Sequence, residues 1–302
     1  MSDENTFRVC VIGLGSMGMG AALSCLRAGL ATSGIDLSRA RLDAFAAAGG
    51  EAVAVAATEL DLQFDAALVL VVNAAQAREA ILGDTGIAHR MRPGGAIMVS
   101  CTQSATDAQS LGQDIAGRGF LMLDAPVSGG ASKAASGDMT VMASGSEEAF
   151  AALARVLEAV AAKVYRIGPD IGQGATVKVI HQLLAGVHIA VGAEAMALAA
   201  RAGIPLDTMY DVVTNAAGNS WMFENRMKHV VDGDYTPQSA VDIFVKDLGL
   251  VTETGRALHF PLPLASAAFA MFQQATNMGH GREDDSSVIK TFAGVDLPGG
   301  KP

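Results

Sequence analysis

Hydrophobic positions in the first 170 residues form short continuous runs that alternate with longer amphipathic segments. The first run, residues 8–12, ends in glycine and is followed by an amphipathic segment at 16–28. This order is typical of a strand, a tight turn and a helix. Helix-length segments such as 38–48 and 106–117 separate most of the later apolar runs, which lie at 32–35, 66–72, 96–100, 120–127 and 139–143. The alternation predicts an α/β domain built on a doubly wound parallel sheet.

The pattern changes after Ile167-Gly168-Pro169, where extended runs give way to helical periodicity. Predicted helices cover 175–202, 206–216, 223–232, 240–257, 263–278 and 286–292. We therefore predict two domains, an α/β domain at 1–167 and an all-α domain at 168–302. A long interdomain helix from about residue 174 would lead into the second domain.

The most apolar part of this long helix has consequences for assembly. Residues 179–193 carry no formal charge, but the window contains His181, Gln182 and His188. Fifteen residues are fewer than the roughly 20 that a bilayer span needs, so the window predicts a buried helix. The longer segment 179–200 is apolar on nearly every face, and a small helical domain leaves part of such a helix uncovered. We expect a homodimer or homotetramer.

Composition narrows the class of protein. Half of the 302 residues are hydrophobic and the formal net charge is −10, which disfavours nucleic acid and anionic membranes as partners. Cys10, Cys25 and Cys101 lack the paired spacing of a disulfide framework or a zinc site. The polar, acidic residues 1–5 lack the features of a secretory signal. These observations predict a cytoplasmic protein.

The turn after the first strand reads Gly13-Leu14-Gly15-Ser16-Met17-Gly18, a G-x-G-x-x-G pattern that opens a helix. In a dinucleotide site the first glycine permits the turn, the second admits the pyrophosphate and the third packs helix on strand. The pattern alone is weak, but Asp36 follows at the end of the second strand, where a carboxylate accepts the ribose hydroxyls. An acidic residue repels a 2′-phosphate, so NAD is favoured over NADP. One alternative is that Asp36 only caps the next helix. Another is that Arg39 and Arg41, which lie close behind it, allow NADP to bind.

Three later segments end strands or follow them. Val72 and Asn73 end one central strand and Thr102 follows another, so these residues are expected to border the cofactor crevice. A helix cap is the alternative for Thr102. In Asp124-Ala125-Pro126-Val127-Ser128-Gly129-Gly130, the paired glycines and the serine hydroxyl make a cradle suited to a carboxylate or a hydroxyl. A plain turn is the alternative there.

Lys178 lies near the start of the long helix and is the candidate for the catalytic acid/base. A lysine in an apolar helix reaches water, pairs with an anion or does chemistry. As a base it needs a pKa below the usual value of about 10.4, and a helix N-terminus and burial both act in that direction. His181 and Gln182 share its helix face at i+3 and i+4. His181 and His188 are two turns apart, too far to chelate one ion, so no metal site is expected.

Four motifs in this order resemble the β-hydroxyacid dehydrogenase family, which includes 3-hydroxyisobutyrate dehydrogenase and tartronate semialdehyde reductase. They are the glycine loop with Met17, the segment 124–130, the Gly-x-Gly-x-x-x-Lys helix start and Lys246-Asp247-Leu248. The resemblance implies a Rossmann-like NAD-binding domain and a helical domain for substrate binding and oligomerisation. It also implies that Lys178 is catalytic, that Ser128, Gly129 and Gly130 hold the substrate, and that Thr102 and Lys246 contact the cofactor.

Two positions depart from the family pattern. Many members carry Asn three and four residues after the lysine, where this chain has His181 and Gln182. These side chains are predicted to contact the substrate, with a purely structural role for His181 as the alternative. The segments 181–188 and 235–248 are similar to the L-threonate dehydrogenase branch.

The predicted activity is therefore NAD-dependent oxidation of a small hydroxy acid by hydride transfer, with L-threonate or a related C4 aldonate favoured. 3-Hydroxyisobutyrate dehydrogenase activity, tartronate semialdehyde reductase activity and imine reduction are enzymatic alternatives. The alternative from another class is a non-catalytic dinucleotide-binding or sensing protein.

Overall fold

A computed structural model describes residues 6–299 of the chain. They fall into two compact units that divide inside one long helix, between Lys178 and Val179. Unit 1 holds the sheet and its helices, and unit 2 is helical. The polar start at 1–5, on which the cytoplasmic prediction partly depends, lies outside the described residues.

Unit 1 is an α/β sandwich around a nine-stranded sheet. Its strands are β1 (Arg8–Ile12), β2 (Ala31–Ile35), β3 (Val53–Ala54), β4 (Phe64–Val69), β5 (Met91–Val99), β6 (Leu121–Asp124), β7 (Val127–Ser128), β8 (Met139–Ser144) and β9 (Ala161–Gly168). Its helices are α1 (Ser16–Arg27), α2 (Arg39–Ala47), α3 (Ala74–Leu82), α4 (Ala105–Gly117), α5 (Gly130–Ser136), α6 (Glu147–Ala152) and α7 (Ala154–Val160). The strand order is β3-β2-β1-β4-β5-β6-β8-β7, and β9 pairs with β8.

The central strands explain why the first apolar runs were so clear in the sequence. β1 lies between β2 and β4 and runs parallel to both, with Val9 opposite Thr32 and Ala66. Every residue of β1 is buried, because helices cover both faces of the sheet. β5 and β6 continue the parallel pairing, so the carboxyl ends of β1, β2, β4, β5 and β6 share one edge. Gly13, Asp36 and Asp124 all lie at or directly after these strand ends.

The sheet is not parallel throughout. β8 runs antiparallel to β6 and β7, with Val127 opposite Val141, whereas β9 is parallel to β8. The predicted strand at 120–127 is in fact two strands, β6 and β7, interrupted by Ala125 and Pro126. Proline lacks the N–H that a continuing strand would donate, which is one reason for the break.

Helix α8 (Gln173–Arg201) begins near the predicted position and enters unit 2. The remaining helices are α9 (Leu206–Thr214), α10 (Trp221–Asp232), α11 (Val241–Ala257) and α12 (Pro263–Ala275), followed by a π-helix (Thr276–His280) and a 3-10 helix (Asp285–Thr291). Ile189, Met196, Phe244, Leu248 and Phe272 lie in the core of unit 2. The predicted fold class, an α/β domain followed by an all-α domain, is confirmed.

α8 has 29 residues, close to the predicted helix at 175–202, and extends well beyond its most apolar 15-residue window. By length and composition it is apolar enough to cross a membrane, and half of its most apolar 18-residue window is buried. Core helices of water-soluble proteins meet the same test. The exposed half of this helix is considered below as an assembly surface.

Candidate active site

Each of the three glycines in the turn after β1 is suited to its position for a different physical reason. A Cβ on Gly13, whose φ is +88°, would lie 2.7 Å from the carbonyl oxygen of Leu70. A Cβ on Gly18 would lie 1.7 Å from the carbonyl oxygen of Gly13, so packing alone requires both glycines. For Gly15 the nearest heavy atom in the described chain, Arg41 Nη1, is 4.0 Å from the Cβ position. Gly15 therefore leaves open space at the N-terminus of α1, where a pyrophosphate can approach the backbone.

The carboxylate of Asp36 lies directly after β2 and holds this turn in place. Its Oδ2 accepts the Leu14 N–H at 2.7 Å, and its Oδ1 accepts the Ser38 N–H at 2.7 Å. Ser38, not Asp36, is the N-cap of α2, which rules out the helix-cap alternative. Arg41 Nη1 lies 3.5 Å from Oδ2, so a cation is also within reach of this site.

A cavity of about 420 Å³ in unit 1 brings together four of the predicted cofactor residues, Gly13, Gly15, Asp36 and Val72, while the others do not line it. Polar groups of Asp36, Arg41 and Gln76 face it beside an apolar wall that sequence reasoning missed. Leu37, Val55 and Ala80 belong to this wall and suit the flat faces of an aromatic base such as adenine. The open space at Gly15 fits the pyrophosphate of a dinucleotide, and the carboxylate of Asp36 fits its ribose hydroxyls.

Replacing Asp36 by alanine should weaken NAD binding about 10- to 100-fold, because hydrogen bonds to a charged group are lost. Binding of NADP should weaken less, since Arg41 remains near the vacated position. Fluorescence titration with both cofactors measures the ratio. Asp36→Asn is the matched control because it keeps an acceptor for the Leu14 N–H. A wild-type preference for NADP would contradict the assigned role.

The other predicted cofactor residues occupy different environments. Leu14 is buried in the core, so only its backbone faces the turn, while Ser16 and Met17 begin α1. Asn73 is the N-cap of α3, and its Oδ1 accepts the Gln76 N–H at 2.9 Å. Thr102 lies three residues beyond β5, and the cap of α4 is Ser104 rather than Thr102. The cofactor roles of these residues, like those of the glycine turn and Asp36, stay predictions.

The predicted substrate cradle lies between β7 and α5. Ser128 ends β7, Gly129 is the N-cap of α5 and Gly130 begins that helix. Gly129 and Gly130 have φ values of +127° and +71°, a region that favours glycine. No heavy atom of the described chain lies within 4 Å of a Cβ built on Gly130, so space beside this backbone is open. The segment thus exposes backbone in a conformation that side chains disfavour.

Lys178 lies on the second turn of α8 and is only 7 % exposed. A lysine whose ammonium group simply reaches solvent would be far more exposed, so Lys178 is not a solvated surface lysine. The buried position agrees with an acid/base role or with a buried anionic partner. His181 and Gln182 follow on the same helix face.

The start of α8 is fastened to the sheet by Asp124, a residue that sequence reasoning did not assign to the site. Its Oδ2 accepts the Gly172 N–H at 3.0 Å and the Ala175 N–H at 2.8 Å. The Ser144 hydroxyl donates to the same oxygen at 3.3 Å and accepts the Gly174 N–H at 3.0 Å. Lys178 is therefore one turn beyond a helix start that a buried carboxylate holds at the carboxyl end of β6.

Gly174 permits this close approach. A Cβ there would lie 2.5 Å and 2.6 Å from the carbonyl oxygens of Asp124 and Met142. Burial raises the pKa of Asp124, and the hydrogen bonds from Ala175, Gly172 and Ser144 oppose that shift only in part. Within residues 6–299, Oδ1 of Asp124 has no hydrogen-bond partner. The sequence contains the two partners, a strand-end carboxylate and a Gly-x-Gly helix start 48 residues later, but nothing in it indicates that they meet.

The remaining predicted site residues form a polar network in unit 2. Gln182 Nε2 donates to Asp247 Oδ2 at 2.5 Å, and His181 Nδ1 lies 2.9 Å from Gln182 Oε1. Lys246 Nζ is 2.6 Å from Asp247 Oδ1. Sequence reasoning placed Asp247 only in a family motif. Its carboxylate nevertheless contacts two predicted residues directly, Gln182 and Lys246, and reaches His181 through Gln182.

Known families cover nearly all of the chain. Residues 8–168 match the NAD binding domain of 6-phosphogluconate dehydrogenase. Residues 172–292 match the family described as NAD-binding of NADP-dependent 3-hydroxyisobutyrate dehydrogenase. The two matches meet near the start of α8.

Relatives with assigned activities extend over the same length. The L-threonate dehydrogenase of Escherichia coli K12 is 65 % identical over 301 residues, and the alignment covers 100 % of both chains. That of Haemophilus influenzae is 64 % identical, with 99 % of both chains covered. A crystal structure of 3-hydroxyisobutyrate dehydrogenase from Salmonella typhimurium has a TM-score of 0.91 and 64 % identity, covering 95 % of this chain and 100 % of that one. The chain therefore belongs to the β-hydroxyacid dehydrogenase family, with the 3-hydroxyisobutyrate dehydrogenase fold, and is an NAD-dependent hydroxyacid dehydrogenase.

Proposed function

We propose that this enzyme oxidises L-threonate or a closely related four-carbon aldonate, with Lys178 as the general acid/base. The observation that carries the substrate assignment is the full-length identity of 64–65 % to several L-threonate dehydrogenases. Burial of Lys178 on the first turns of α8 supports its catalytic role. The enzyme is proposed to act in the cytoplasm, where its three buried cysteines stay free thiols.

Each part of the proposed site has a separate task. When bound, NAD supplies the hydride acceptor at C4 of its nicotinamide ring. Lys178 Nζ accepts the proton of the reacting hydroxyl and returns it in the reverse reaction. Ser128, Gly129 and Gly130 hold the substrate carboxylate through a hydroxyl and backbone N–H groups. Lys246, His181 and Gln182 orient the other hydroxyls.

The two predicted domains are proposed to have different functions. Residues 1–167 are proposed to bind NAD, since the cavity with Gly15 and Asp36 lies there. Residues 168–302 are proposed to select the substrate and to form the oligomer.

A panel of acids tests the substrate. L-Threonate, 3-hydroxyisobutyrate and L-serine are compared by kcat/KM with NAD and NADP, and tartronate semialdehyde is tested with NADH. A cyclic imine with NADPH is included. L-Threonate is expected to give the largest kcat/KM. A higher value for another acid would move the assignment to that substrate, and NAD binding without turnover of any compound would favour the sensing alternative.

We further propose that α8 packs against a second copy of the chain. Its exposed apolar side chains form one stripe, because they recur at intervals of four and seven residues along the helix. The stripe contains Ile180, Leu184, Val191 and Leu198, each between 53 % and 69 % exposed. A second subunit would remove these side chains from water, and the net charge of −10 argues against an anionic membrane as the cover.

Light scattering after size exclusion should show a dimer or tetramer. The double variant Leu184→Glu with Val191→Glu should shift the protein toward the monomer, since two carboxylates would enter the apolar contact. Val212→Glu is the matched control because Val212 is 55 % exposed on α9 and lies outside the stripe. A monomeric wild type, or equal dissociation in the control, would count against this surface.

A further inference from the structure

The network around Asp247 fixes the direction of the two hydrogen bonds that run from Asp247 through Gln182 to His181. The Asp247 side chain is buried and the Gln182 side chain is nearly so. An ionised carboxylate only accepts hydrogen bonds, and Asp247 is paired with Lys246. The Gln182 group that faces Asp247 is therefore its amide NH₂, and the bond between them is 2.5 Å long.

The orientation of this amide determines the tautomer of His181. With its NH₂ on Asp247, Gln182 turns its carbonyl oxygen Oε1 toward Nδ1 of His181, 2.9 Å away. A carbonyl oxygen accepts but cannot donate, so Nδ1 must carry the proton. In the neutral ring the other nitrogen, Nε2, then has no proton and is a hydrogen-bond acceptor.

We propose that Asp247 is a positioning residue for substrate selection: through Gln182 it sets His181 to accept a hydrogen bond from a second substrate hydroxyl. The proposal rests on the function proposed above, in which Lys178 takes the proton of the reacting hydroxyl. Three residues of helix separate Lys178 from His181, a rise of about 4.5 Å on the same face. That spacing suits two hydroxyls of one short polyhydroxy acid. An acid with a single hydroxyl has no donor for His181.

Asp247→Asn tests the relay because asparagine offers both a donor and an acceptor. Gln182 can then turn its NH₂ toward His181, which reverses the direction of the last hydrogen bond. The ratio of kcat/KM for L-threonate to kcat/KM for 3-hydroxyisobutyrate should fall about ten-fold. Asp247→Asn also removes the anionic partner of Lys246, which is proposed to orient the same hydroxyls, so the tautomer measurement below separates the relay from this second effect. Gln182→Met, which removes the relay but leaves Asp247 and Lys246 paired, should lower the ratio similarly.

Nitrogen-15 NMR of histidine-labelled, full-length protein reads the tautomer without any activity. The chain has six histidines, and the His181 signals are those absent from His181→Gln. Wild type should show the proton on Nδ1, and Asp247→Asn should lose that preference. Asp242→Asn is the matched control because Asp242 is exposed on the same helix and accepts a hydrogen bond from Thr276. It should change neither the tautomer nor the ratio.

The outcomes separate the two proposals. A wild-type proton on Nε2, or a tautomer change in Asp247→Asn without a change in the ratio, would overturn the relay. A purely structural role for Asp247 would lower stability and both kcat/KM values together while leaving their ratio intact. If L-threonate is not a substrate but the proton lies on Nδ1 and the ratio for another pair of polyhydroxy and monohydroxy acids falls, only the proposed substrate is wrong.

Discussion

Replacing Lys178 by methionine should lower kcat by about 10²–10⁴-fold, the usual contribution of a general acid/base. Methionine fills a similar apolar volume, so a side chain that is only 7 % exposed can be replaced without opening a large cavity. The dissociation constant of NAD should stay within about two-fold, because Lys178 does not line the cavity that holds Gly15 and Asp36. Stopped-flow hydride transfer and fluorescence titration measure the two quantities.

The control for this variant is Lys163→Met, which removes an exposed lysine from β9 in the same unit. It should leave turnover and NAD affinity unchanged. Near-normal turnover in Lys178→Met would remove this residue from the mechanism. A parallel loss of NAD affinity would instead point to a damaged cofactor cavity.

The fold could be predicted wherever burial imposed a simple pattern. β1 and β4 are buried on both faces, so their apolar runs were unambiguous. β9 was missed because its half-exposed residues include Lys163 and Arg166, which interrupt the apolar run. The reversed direction of β8 was also missed, since periodicity shows that a strand exists but not how it pairs.

The site was predictable where chemistry depends on sequence-local geometry. The glycine turn and Asp36 are close in the chain, and the structure joins them through the Leu14 N–H. Asp124 was missed because its partners Gly172 and Ala175 are 48 and 51 residues away, and no local pattern reports such a contact. Asp247 was seen as part of a motif, but its contact with Gln182 spans 65 residues.

Replacing Asp124 by alanine should destabilise the protein by about 2–5 kcal/mol, because two buried N–H groups at the start of α8 lose their acceptor. Turnover should also fall, by up to about 10²-fold, since small displacements of a catalytic group are costly. Differential scanning calorimetry and steady-state kinetics measure these effects. An alanine variant with wild-type stability and turnover would show that Asp124 does not hold this helix start.

Asp124→Asn distinguishes the acceptor from the charge. Asparagine keeps a carbonyl oxygen for Gly172 and Ala175, and its NH₂ takes the place of Oδ1, the oxygen that has no partner within residues 6–299. It should therefore retain most of the stability that alanine loses. Because burial raises the pKa of Asp124 in the folded protein above 3.8, the folded state binds this proton more tightly than the unfolded state. The part of the stability that depends on this proton is thus fully present below pH 3.8 and is lost as the pH rises through the folded-state pKa, whereas the hydrogen bonds from Gly172 and Ala175 do not require it.

Asparagine resembles the protonated form at every pH and lacks this dependence. Lowering the pH should therefore raise the free energy of unfolding of the wild type relative to that of Asp124→Asn, as measured by urea titrations at several pH values. The opposite trend would mean that the hydrogen bonds from Gly172 and Ala175 lower the pKa more than burial raises it. The negative charge would then stabilise the start of α8, and Asp124 would hold Lys178 in place as an anion rather than as an acceptor alone.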